Sequence, residues 1–236
     1  MPASVPSALW GLSAVCFLLA ALTGVFRAKG MEKMRILFKT LASMMFCAVG
    51  FVALMGREVP QVSVRAVLLL VALLLGLVGD IFLGIDGFIH RDVVNFFFLL
   101  GGAPFLFGHI VYVGILLSIG TFEPAYLCIL AVLPVLFLLL HYFKVWNLHS
   151  NLPPLLCYAL VLSAMVMGTL NLARQGGTLG QLMIAPGILF AISDTSLFLG
   201  KFGTERIRRL KPLLSFMIML TYYSAQCLFA ISIRYI

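Results

Sequence analysis

AVLLLVALLLGLVGDIFLGI, residues 66–85, is apolar from end to end except for a single aspartate at position 80. A helix of about 20 such residues, rising 1.5 Å at each, spans the roughly 30 Å hydrocarbon core of a bilayer. The stretch therefore reads as a transmembrane helix with a carboxylate inside it. Working outward, seven further apolar runs of similar length appear at 7–26, 36–55, 93–117, 124–142, 153–173, 182–200 and 213–232, separated by short polar connectors. Only helices and closed barrels satisfy their backbone polar groups in lipid, and these runs are too long for barrel strands. The predicted fold is all-α: one polytopic membrane bundle of eight helices, a single domain over residues 1–236. Composition agrees, with 63% hydrophobic and 10% charged residues, where a soluble domain carries about 25% charged.

The first run lacks the positive n-region and small-residue cleavage site of a signal peptide, so it is expected to be a span. Cys16, Cys47, Cys128, Cys157 and Cys227 all fall within spans without a C-x-x-C pair. They suggest neither a disulfide framework nor a zinc site, and are expected as buried small hydrophobes. No metal or other cofactor is implied.

The net charge of +8 is laid out along a membrane chain rather than as a nucleic-acid patch, and no nucleic-acid partner is expected. Arg27, Lys29, Lys33, Arg35 and Lys39 cluster around connector 1–2, and Lys201, Arg206, Arg208, Arg209 and Lys211 around connector 7–8. With Arg91 and Lys144 they place 12 basic residues on one side, against Arg57, Arg65, Arg174 and Arg234 on the other. The positive-inside rule puts those connectors in the cytoplasm and both termini outside.

Prolines mark helix starts at Pro153, Pro154 and Pro212, whereas Pro104, Pro134 and Pro186 fall within or near spans and are expected to kink them. LLGGAPFLFG (99–108) predicts close packing or a bend. GLVGDIFLG (76–84) and FAISDTSLFLG (190–200) each place a small residue and then an aspartate at similar distance from a helix end. Spans three and seven run in the same direction, which is compatible with a duplicated four-helix unit.

Of the four aspartates, Asp86 and Asp92 belong to the connector GIDGFIHRDVV, which leaves Asp80 and Asp194 inside spans. Both lie toward the cytoplasmic end, roughly 5–7 Å from the midplane at 1.5 Å per residue. As interhelical glue each would return about 0.6 kcal/mol, poor compensation for an insertion cost of about 2.5–3.5 kcal/mol, so a functional role is the stronger reading. Two carboxylates at one depth are expected to share a proton and to act as general acid and general base. His109 and Tyr112 share a helix face at i, i+3, and Tyr222 and Gln226 at i, i+4. Lys39 is a snorkelling residue that could meet a carboxylate or a lipid phosphate. Ser193 precedes Asp194 with no base to activate it. No triad order, P-loop, H-E-x-x-H or G-x-G-x-x-G motif occurs.

GLVGDIFLG, GHIVY (108–112), ISDTSLFLGKF (192–202) and TYYSAQ (221–226), with Lys39 ahead of them, resemble in that order the signatures of the lysoplasmalogenase-like YhhN membrane family. The resemblance spans all eight predicted helices. It departs from the animal members in the connector GFIHRDVVNFFF, so His90, Arg91 and Asp92 take no role from it. It implies a hydrolase that cleaves the vinyl ether of a lysoplasmalogen to a fatty aldehyde and a glycerophospho-ethanolamine or -choline. The substrate partner would then be a lysophospholipid or ether lipid drawn from membrane lipid. Asp80 and Asp194 would be catalytic, and Lys39, His109, Tyr112, Tyr222, Tyr223, Gln226 and Ser193 would bind substrate or order water. Two other classes fit the same aspartates. A proton-coupled transporter or lipid flippase would use them in alternating access, although no pair of broken helices is evident in the sequence. A membrane scaffold would tolerate their replacement by apolar residues.

Overall fold

The computed structural model describes residues 5–57, 63–86, 96–146, 148 and 151–236. Helices α1 (Ser7–Ala28), α2 (Glu32–Met55), α3 (Val64–Asp86) and α4 (Phe96–Ser118) are followed by a 3-10 helix, Pro124–Ala131, that leads into α5 (Val132–Tyr142). Then come α6 (Leu152–Arg174), α7 (Gly177–Met183), α8 (Pro186–Phe202), α9 (Glu205–Arg208), α10 (Lys211–Ser232) and a last 3-10 turn, Ile233–Tyr235. Among the described residues the only β pairing is an isolated bridge between Trp146 and Gly203. Among the described residues, eight segments are long and apolar enough to cross a membrane, and each predicted span coincides with one of them.

The chain divides into two compact units, Met1–Ile115 with Gln226–Ile236, and Leu116–Ala225. In the first, α2 packs between α1 and α3. Gly30, at φ 68°, takes the left-handed turn that a side chain would resist and returns α1 into α2 within three residues. The face α3 buries is Ala66, Leu69, Ala72, Leu73, Gly76, Gly79 and Asp80, while Leu68, Val71, Leu74 and Val78 point outward. This is helical i, i+3, i+4 spacing with apolar residues on both faces, as lipid allows. Helices α3 and α4 approach closely: a Cβ on Gly79 would stand 2.6 Å from the Phe105 ring, and one on Gly101 2.8 Å from Leu83. The 99–108 stretch thus resolves as close packing, with α4 continuous through Pro104.

In the second unit α6 is the hub, packed against the 3-10 helix, α5, α7 and α8. Phe137 and Trp146 meet edge to face at 4.9 Å in its core, and Phe198 meets Phe137 at 5.9 Å. Two of its spans are interrupted. Span five opens as an eight-residue 3-10 run, and at the switch to α5 the Leu133 N–H is taken by Ser163 Oγ at 3.2 Å. Span seven breaks between Met183 and Pro186.

These breaks correct three sequence expectations. Pro186 starts α8 instead of kinking a helix, because its missing N–H falls where none is needed. Pro134 likewise lies in the first turn of α5. Broken helices do exist, hidden from hydropathy because the interrupted residues are as apolar as their neighbours. Two further corrections concern single residues. Asp86 ends α3 rather than lying in the connector. Cys128 and Cys157 are exposed on the outer faces of their spans, where only Cys16, Cys47 and Cys227 are buried; a thiol meets hydrocarbon as readily as it meets a core. His90, Arg91 and Asp92 lie outside the described residues.

Candidate functional site

Asp80 is 3% exposed on the inner face of α3. Lys39 Nζ stands 2.9 Å from its Oδ1, and Ser43 Oγ donates to its Oδ2 at 2.6 Å. Lys39 and Ser43 are one turn apart on α2 and so share the face that meets α3. A turn earlier on that face, Arg35 Nη2 donates to the Gly84 carbonyl in the last turn of α3 at 3.0 Å, where a cation also complements the helix dipole. Glu32 pairs with Arg35. Four residues along α2 answer four residues back along α3, as antiparallel helices require. Of the two partners the sequence allows Lys39, the structure gives the carboxylate. A buried carboxylate with an ammonium and a hydroxyl on separate oxygens has both charge and lone pairs satisfied.

Asp194 is 5% exposed on α8. The phenol of Tyr158, on α6, donates to its Oδ2 at 2.6 Å, and Phe198 braces the Tyr158 ring edge-on at 5.2 Å. Ser193 is buried beside it in sequence.

Other predicted residues assemble within each unit. In the first, Tyr112 donates to Gln226 Oε1 at 2.9 Å, and its ring stacks on Phe229 at 4.2 Å. His109, one turn back on α4, is 1% exposed. In the second, Tyr222 lies edge-on to Phe190 at 5.5 Å and contacts Tyr223 at 4.9 Å; Tyr223 is fully buried.

Sequence reasoning missed Ser43 and Tyr158. The signal for Ser43 is its i+4 spacing from Lys39. For Tyr158 it is the internal likeness: Lys39 is the eighth residue of α2 and Tyr158 the seventh of α6. Each aspartate accepts from the preceding span at a corresponding place.

Comparison with known proteins adds one match. The model of the YhhN family matches residues 34–233, a stretch that contains both aspartates and the side chains that hold them. No curated protein and no solved structure matches the chain.

Proposed function

The chain belongs to the YhhN family, and from that premise we propose that it is a membrane-embedded hydrolase of the vinyl ether bond in lysoplasmalogens, with Asp80 and Asp194 as its acid–base residues. The observation that carries the reading is the Lys39–Asp80 ion pair capped by Ser43. Such a charged cluster within a span is a functional group by default.

The chemistry is balanced by one water. Protonation of the vinyl ether β-carbon gives an oxocarbenium ion; water adds to it with loss of a proton, and the hemiacetal collapses to a fatty aldehyde and the glycerol hydroxyl. One proton is given and one taken, as paired carboxylates divide the work at glycosidic oxocarbenium ions. Asp80, ion-paired with Lys39, suits the carboxylate that stabilises the cation and accepts the water's proton. Asp194, whose Oδ2 accepts the Tyr158 hydrogen bond, supplies the other half of the pair. His109, Tyr112, Tyr222, Tyr223, Gln226 and Ser193 would orient water or head group.

The test is mass spectrometry of lipids and aldehydes after incubating purified protein with a mixed pool of single-chain ether lipids. Asp80→Asn and Asp194→Asn are each expected to lower aldehyde release by about 10²–10⁴-fold, the range of general acid–base catalysis. Wild-type rates in either folded variant would end the proposal. The interrupted spans five and seven favour a second reading, a proton-coupled transporter or flippase, since transporters bind substrate where helices break. Uptake into sealed vesicles without bond cleavage would select it.

A further inference from the structure

Ser43 is fully buried, and its hydroxyl stands between two acceptors: Asp80 Oδ2 at 2.6 Å and, one turn back on α2, the Lys39 carbonyl at 3.0 Å. A hydroxyl carries one proton and two lone pairs, so it donates to one of these at a time. Serines and threonines inside helices commonly settle on the i−4 carbonyl, and Ser196, Thr221 and Ser224 do so here at 2.7 Å. At Ser43 the carboxylate is the nearer acceptor. Nothing is lost at the Lys39 carbonyl meanwhile, because the helix already gives it the Ser43 N–H. The two oxygens of Asp80 differ in what they face. Oδ1 meets the Lys39 ammonium at 2.9 Å, a group with donors and no acceptor. A proton on Oδ1 would point at a cation, whereas a proton on Oδ2 points at the lone pairs of Ser43. Two thiols also lie within electrostatic reach of Asp80, Cys47 on α2 and Cys16 on α1, and Cys16 is hydrogen-bonded to Cys227 on α10. On α4 the side chain at this level is Phe105, against Gly79; His109 and Tyr112 follow one and two turns later.

We propose that Ser43 is a two-position proton switch for Asp80: it donates to Oδ2 while the acid is ionised, and turns to the Lys39 carbonyl and accepts from Oδ2 once the acid is protonated. Serine gives up no proton in either direction. Its own O–H swings from Oδ2 to the carbonyl, the incoming proton stays on Oδ2, and that oxygen is hydrogen-bonded in both states. The inference rests on the proposed reaction for the source of the proton, the water that adds to the oxocarbenium ion. The switch itself requires only that Asp80 gain and lose a proton. Among donors alone a buried carboxyl group would resist that gain, since its new O–H would have no acceptor. A hydroxyl removes the obstacle because it is donor and acceptor in one group. Ser43 is thus a positioning residue, acting through the acid by fixing which oxygen holds the proton.

The experiment is infrared difference spectroscopy, between neutral and acid pH, of the full chain in vesicles of diacyl phospholipid. The carbonyl stretch of a protonated carboxyl group falls when its O–H is hydrogen-bonded, and the Asp80 band is the one that Asp80→Asn removes. Ser43→Ala introduces a smaller residue of higher helix propensity, and in it that band is expected at higher frequency. Ser43→Thr keeps a hydroxyl one turn from the Lys39 carbonyl and is expected to return the band to its wild-type position. A wild-type band position in folded Ser43→Ala would overturn the switch. So would the absence of an Asp80 band at every pH at which the fold survives, since the acid would then have one state. Aldehyde release from a vinyl ether lipid is followed on the same preparations, where Ser43→Ala is expected to lower kcat about tenfold with KM unchanged. Bands that move as expected, with no aldehyde from the wild-type chain, keep the switch and remove the proposed reaction. Aldehyde from the wild-type chain, with an unmoved band in Ser43→Ala, does the reverse.

Discussion

Asp80 shows how far a single residue's surroundings decide its meaning. Alone, a carboxylate in a span is a penalty; beside Lys39 and Ser43 it is half of a neutral, hydrogen-bonded cluster. Removing one partner leaves the other buried and uncompensated, which costs about 3–5 kcal/mol, whereas replacing both by apolar residues is close to neutral. Lys39→Met is therefore expected to lower the melting temperature in detergent sharply, and the double substitution Lys39→Met with Asp80→Leu to restore most of it while abolishing turnover. Tyr158→Phe removes only a hydroxyl, and with it a hydrogen bond to a carboxyl group worth about 1.5–3 kcal/mol if that group is charged. It is expected to reduce turnover more than stability, read from initial rates and melts on the same preparation. Both aspartates, Lys39 and the Tyr112/Gln226 positions are visible in the sequence because polar groups stand out in apolar runs. Ser43 and Tyr158 are not, because serine and tyrosine are tolerated on any face of a span. Only the rotation of α2 and α6 about their axes reveals which partner each one meets.

The helices themselves are legible as hydropathy, and their packing is not. Each expected span has its helix, since length and apolarity fix that much. Which face turns inward is unreadable for α3, whose outer Val71, Leu74 and Val78 are as hydrophobic as its inner Leu69 and Leu73. Glycines carry some of the missing information. Gly79→Ala would drive a methyl against Phe105, whereas Gly102, on the same α4 segment as Gly101, has nothing within 4 Å of an added Cβ. We expect Gly79→Ala to destabilise by about 1–3 kcal/mol through overpacking, and Gly102→Ala to be neutral or to stabilise by up to about 1 kcal/mol through helix propensity. Paired thermal melts would check both. The breaks in spans five and seven escaped the sequence for a related reason: residues 131–132 and 184–185 are themselves apolar, and Pro186–Gly187, directly after the second break, reads equally well as a kink or as a first turn.

For the molecule as a whole, the eight spans and the family match define a multi-pass membrane protein, and the charge count proposes its orientation. Lys29→Cys and Arg206→Cys, on a background without the five native cysteines, are expected to react with an impermeant maleimide only from the cytoplasmic side, and Arg174→Cys only from the other. The reverse pattern would invert the topology. The four-plus-four likeness also reaches this scale. The two compact units part within the last turn of span four, and the last span is divided between them at Gln226; in each unit an aspartate is held by a residue early in the span before it. The holders differ, lysine in one and tyrosine in the other.

The bond between Lys39 and Asp80 has a consequence for how the chain is made. Released separately from the insertion machinery, the second segment would bring a bare ammonium into oil and the third a bare carboxylate, each at about 2.5–3.5 kcal/mol. Released as a hairpin, they neutralise one another on arrival. Biogenesis of this half thus favours the handover of α2 and α3 together, and a nascent chain stopped between them would keep its second segment waiting at the exit for the opposite charge.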